Sequence, residues 1–163
     1  MTINYKEKTT HLHEAINEAG HTLYRRDGKW VSSDDKAVQK IIDEFDPLPI
    51  VKDLALKKLV KEFNMLVSDI EDIYPDAEKR TFIIQAAEAR SYLLDSSAHV
   101  PTIDALAKAR GVTVDDMANR INAKAVKYTE KVNTLIGLRQ AKKDEVNTQT
   151  DFNLIQKISL ISG

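Results

Sequence analysis

Asp27-Gly28 stands between two short runs of alternating character, residues 21–26 and 29–32. An Asp-Gly loop allows positive φ at both positions, which matches the right-handed twist of paired strands and makes this the strongest short-range hairpin signal. A two-stranded ribbon of this length is not stable alone, so it must lie on another element. The nearest one follows directly. Ser33 is placed to cap a helix carrying Ala37, Val38, Ile41, Ile42 and Phe45 at helical spacing. Before the ribbon, Leu12, Ala15, Ile16 and Ala19 share one face of a short helix over residues 10–19, stopped by Gly20. Residues 1–48 therefore read as a small helix–β-hairpin–helix module.

Pro47 and Pro49 bound that module, because neither can continue a helix. Residues 49–163 then read as a helical domain, and the whole as mainly α: antiparallel helical hairpins or a bundle. Leu56, Leu59, Val60, Phe63, Leu66, Val67, Ile70, Ile73 and Tyr74 keep a 3-4 spacing. After Tyr74-Pro75 comes a third helix opened by Asp76, then a short helix over 103–110 capped by Thr102 and closed by Gly111. Thr113 caps the longest element. Its seam of Val114, Ala118, Ile121, Ala125, Tyr128, Val132, Leu135, Arg139, Lys142 and Val146 has the 3.5-residue period of a helical hairpin or coiled coil. We expect that seam to pack on the 56–74 stripe and to weaken after Leu135. Beyond Thr148, Phe152, Leu154, Ile155, Ile158, Leu160 and Ile161 form either a docked helix or an adhesive tail.

Charge narrows the partners. The chain has 24 basic and 25 acidic residues, net charge −1, so no global field draws it to nucleic acid or anionic membrane. Without cysteine there are no disulfides, thiolate metal sites or cysteine nucleophiles. No run approaches the about 18 apolar residues of a membrane span.

Candidate chemistry is sparse. His11, His13 and Glu14 invite a metal reading, but helix positions two apart point away from each other, so no metal ligands are assigned. Asp34-Asp35 and Asp115-Asp116 sit in first turns, where the helix dipole favours negative charge. Nucleophile elbows, phosphate-cradling loops and zinc-protease helices are missing, so we assign no catalytic residue and no cofactor. Residues 105–118 also have the order of a helix-turn-helix DNA reader, but Asp115 and Asp116 lie where phosphates would approach. Tyr24, Arg25 and Trp30 are residue types enriched in interface hot spots. The ribbon is expected to pack one face on the 37–45 helix and offer Tyr24 and Trp30 from the other, unless Trp30 merely fills the gap. Phe152 and Ile155 in the C-terminal stretch are the second candidate contact.

Gly20-His21, Leu23, Asp27-Gly28, Trp30-Val31, Ser33-Asp34, Ala37-Val38, Ile41-Ile42-Asp43 and Phe45-Asp46-Pro47 form a pattern within residues 15–48. It resembles small tail-fibre assembly or tail proteins of tailed bacteriophages. A second block, residues 89–93, 100–112 and 136–141, resembles the same group. The resemblance implies a non-enzymatic assembly chaperone that binds a phage tail-fibre protein, acting in the host cytoplasm or retained in the virion tail. It brings no catalytic motif. A permanent structural tail component held by its helical seam and a DNA-binding regulator are the competing expectations, and a homo-oligomer is a further partner expectation.

Overall fold

The computed structural model describes Ile3, Tyr5 and residues 10–161. The protein is mainly α, 71% helical, with eight helices and one antiparallel two-stranded ribbon among the described residues. In chain order these are α1 (His11–Glu18), β1 (Leu23–Arg26), β2 (Lys29–Ser32), α2 (Asp35–Glu44), α3 (Leu48–Glu71), α4 (Asp76–Lys79), α5 (Phe82–Leu94), α6 (Pro101–Arg110), α7 (Val114–Thr148) and α8 (Phe152–Lys157). They pack as two compact units, Met1–Lys57 with Glu145–Ile158, and Lys58–Asp144 with Ser159–Gly163. These bounds fall inside α3 and α7, whereas the prolines had suggested a division at residue 48.

The prolines begin a helix instead of separating two domains. The Pro47 carbonyl accepts from the Val51 amide, and the Asp46 carboxylate accepts from the Leu48 amide at 2.9 Å. Pro49 falls in the first turn of α3, where its missing N–H leaves no intrahelical bond unmade.

In the first unit, Leu12 and Ile16 of α1 meet Val38 and Ile42 of α2, with Ile3, in one buried cluster. The ribbon turns at Asp27 (φ 50°) and Gly28 (φ 77°), so both loop positions take the left-handed backbone that Asp-Gly permits. Leu23 and Trp30 pack against the cluster. Ser33 does not cap α2, contrary to expectation. Its hydroxyl accepts from the Thr22 amide at 3.0 Å while its own amide donates to the Thr22 carbonyl, which adds a rung to the ribbon. Asp34 is the cap, accepting from the Lys36 and Ala37 amides at 3.0 Å each. The Ala37 amide is the main reason its carboxyl is held below the usual carboxylate range.

In the second unit, Ala89 of α5, Ile103 and Ala107 of α6, Met117 and Ala118 of α7, and Val100 form the buried cluster. Gly111 (φ 65°) ends α6, and the Thr113 hydroxyl accepts from the Asp116 amide to start α7. Two other expected caps differ. Asp76 lies inside α4 and pairs with Lys79 at 2.8 Å. At α6, Thr102 is a donor: the Glu88 carboxylate of α5 accepts from the Thr102 amide (2.9 Å), the Thr102 hydroxyl (2.7 Å) and the Ile103 amide (3.0 Å). The start of the seam, Val114, Ala118 and Ile121, packs with α5 and α6 and not on the 56–74 stripe as expected, and Val60 and Ile73 of that stripe are exposed. α7 touches the α3 stretch through a few long side chains. Arg139 lies over the Phe63 ring, Tyr128 donates to Glu71, and Lys124 lies over the Tyr74 ring, so within this unit the two helices run antiparallel. α7 continues through Gly137 to Thr148.

Candidate partner-binding surfaces

Pairing in the ribbon decides what it can offer. Tyr24 lies opposite Val31, and Arg25 opposite Trp30. Residues directly opposite share a face, and successive residues alternate. Tyr24 and Trp30 are therefore on opposite faces, and the structure does not bring them together. Trp30 is on the inner face, its ring 4.2 Å from that of Tyr5 and 5.9 Å from that of His13. It fills the gap beside the core cluster, which corrects its placement on an outward face. Tyr24 is 49% exposed and Arg25 is exposed, so they remain surface groups of the ribbon. The two N-terminal histidines part as helix geometry requires: His11 lies 2.7 Å from the Glu14 carboxylate, His13 3.2 Å from the Tyr5 hydroxyl. Among the described residues no three His, Asp or Glu side chains converge as metal ligands would.

The C-terminal stretch is a docked helix. Asp151 caps α8 through the Asn153 amide at 2.8 Å. Ile155 is fully buried in the first unit, so its assignment as a partner contact is corrected: the hydrophobic gain is already realised within the chain. Phe152 is half-buried, and Leu154 is the exposed apolar residue of α8.

The most exposed large apolar side chains lie on the second unit, where sequence reasoning had placed no contact. α5 buries Ala89. On the opposite side, Ile83 and Leu94 are 84% and 89% exposed, with exposed Ala87 between them and Ile84 on the flank. Ile83 and Leu94 are three helical turns apart, about 16 Å along one face. The signal was present in the sequence: α5 reads Phe-Ile-Ile-Gln-Ala-Ala-Glu-Ala-Arg-Ser-Tyr-Leu-Leu. A helix with large apolar residues on more than one side needs cover on each of them. Arg90 is exposed on this same face, between Ala87 and Leu94.

The α6–α7 corner keeps the helix–Gly111–helix order of a helix-turn-helix, but its polar groups pair with one another. Arg120 forms a double contact with Asp116, at 2.9 and 2.8 Å, and Asn119 donates to Asp115. Groups that would read bases are held by the carboxylates preceding them. Two carboxylates also fix α3 in this unit. Glu71 accepts from the Tyr128 hydroxyl at 2.5 Å, and this bond, followed by burial, pushes the phenol up to about 12. Glu62 is buried and accepts from the Ser159 hydroxyl and the Leu160 amide.

Among the described residues no helix is long and apolar enough to cross a membrane. No protein-family model matches the chain, and no curated protein or solved structure matches it either.

Proposed function

We propose that the protein is a non-enzymatic assembly chaperone for a phage tail-fibre protein, and that its contact surface is the outer face of α5. The observation that carries this reading is the outer face of α5, where Ile83, Ile84, Ala87 and Leu94 are exposed around Arg90, since exposed apolar side chains gathered on one face of a folded chain mark a protein contact. The sequence resemblance to tail-fibre assembly proteins supplies the partner class. A chaperone of this kind covers apolar surface on the immature fibre until the fibre's own strands or coiled coils pair. Co-expression with a tail-fibre protein tests it. Ile83→Asp with Leu94→Asp lowers recovery of soluble fibre and leaves the chaperone folded. Unchanged fibre recovery with the double variant would discard α5 as the contact.

A permanent tail component would use the same face, and the assembled particle separates the two readings: a chaperone is missing from purified fibres, a component is retained. DNA reading is supported by the helix–Gly111–helix corner alone. The Asp116–Arg120 and Asp115–Asn119 pairs weigh against it.

A further inference from the structure

Glu62 is 8% exposed, and among the described residues it is the buried charged side chain. Its Oε1 accepts from the Ser159 hydroxyl at 2.8 Å and its Oε2 accepts from the Leu160 amide at 2.7 Å. The grip is bidentate: one carboxylate takes a side-chain and a main-chain donor from adjacent residues. Ser159 Oγ also accepts from the Ile161 amide at 3.1 Å, so the hydroxyl links the carboxylate to the next turn of chain. Residues 159–161 thus lie on α3, held by polar contacts that all pass through Glu62 or through the hydroxyl it accepts from.

We propose that residues 159–161 are a strap whose closure on α3 is set by the charge of Glu62, so that neutralising this one carboxylate opens the strap while the α5–α6–α7 core stays folded. An ionised carboxylate accepts both donors at full strength, and charge-assisted bonds are roughly twice as strong as neutral ones. The charged group facing Glu62 on its own helix is Lys58, 3.7 Å away and half-exposed. From α7, Arg139 lies over the ring of the neighbouring Phe63. Residues 159–161 bring no ionisable side chain. Burial pushes the Glu62 carboxyl up, but the Leu160 amide, the Ser159 hydroxyl and Lys58 together outweigh it and hold the group below its ordinary value. The sign follows: strap closure is favoured above the ordinary glutamate range and is lost as pH falls through the lower folded-state value. Opening would add Leu160 to the exposed apolar surface of the second unit. This inference is independent of the proposed fibre contact.

The experiment is hydrogen exchange and a pH titration of the ¹⁵N-labelled full chain, read at the Leu160 amide. Glu62→Gln, which keeps the shape and removes the charge, should cut Leu160 protection at least tenfold and leave the α6 amides of Ala107 and Lys108 unchanged. Ser159→Ala should move Leu160 in the same direction by less. In the unaltered chain the Leu160 resonance should follow a single titration below the ordinary glutamate range. Unchanged Leu160 protection in Glu62→Gln overturns the proposal, as does a loss shared equally by the α6 amides. If Glu62→Gln fails to fold, Ser159→Ala and the titration decide: full protection in the first, or no titration in the second, overturns it.

Discussion

Glu88 of α5 caps a helix it does not belong to, accepting both the amide and the hydroxyl of Thr102 across the turn between α5 and α6. The first turn of α6 leaves amides with no intrahelical partner, and a local Ser, Thr, Asp or Asn side chain would ordinarily accept them. Val100, at the cap position, has no such oxygen. The carboxylate supplies it from the neighbouring helix, so helix start and helix packing become one interaction.

Glu88→Ala should accordingly cost more than an ordinary cap deletion, about 1–3 kcal/mol, because three donors lose their acceptor together. Glu88→Gln keeps one acceptor oxygen and should recover part of the loss. Urea unfolding followed by far-UV circular dichroism measures both, and equal stability of Glu88→Ala and the unaltered chain would refute the cap.

Trp30→Ala should destabilise the first unit by about 2–4 kcal/mol, somewhat below the cost of a fully buried tryptophan. The indole rests on Tyr5 and on the Leu12–Ile16–Val38–Ile42 cluster, and its removal takes away both contacts. Tyr24→Ala, from the other face of the ribbon, should change stability by less than about 0.5 kcal/mol. Comparable losses in the two variants would contradict the facing deduced from the strand pairing.

Two isoleucines of the second unit should behave oppositely. Ile103 is fully buried, and Ile103→Ala should cost about 2–5 kcal/mol. Ile83 is 84% exposed, and Ile83→Ala should lie within about 0.5 kcal/mol of the unaltered chain. Thermal unfolding of the isolated protein distinguishes them. A large loss at Ile83 would mean that the α5 face is covered in solution.

Tyr128 gives an alkaline signature. Its phenol is pushed up to about 12, above the usual 10.0, so the interaction with Glu71 is fully present below the ordinary tyrosine value and is lost as pH rises through the folded one. Ultraviolet titration of the native chain should show a tyrosine step above the ordinary tyrosine value. Glu71→Gln should bring it back towards the ordinary value, and Tyr128→Phe should remove the late step.

The hairpin, the helix content and the end of α6 were legible because each rests on a short-range rule: positive φ at Asp27-Gly28, helical spacing, and a left-handed Gly111. Capping was legible only where the acceptor is local. Thr113 caps α7 as its position suggests, whereas Thr102 is a donor to Glu88, fourteen residues away, and no local pattern specifies that pairing. The exposure of Trp30 and Ile155, which lie against or within the core, was misjudged for a related reason. Ile83 and Leu94 carry the same apolar signal as Ile103 and Met117, and only packing decides which of them is covered. Tyr24 and Trp30 were grouped by residue type, while strand parity separates them.

The bond from the Thr22 amide to the Ser33 hydroxyl fastens the mouth of the ribbon one residue ahead of the α2 cap at Asp34. Strand alignment and helix start are therefore chosen together. A one-residue slip would turn Trp30 outward, flip every side chain of the ribbon with it, and pull Asp34 away from the amides it serves. Misalignment in this ribbon carries its penalty into the helix, which leaves the chain a single self-consistent way to thread from Thr22 to Ala37.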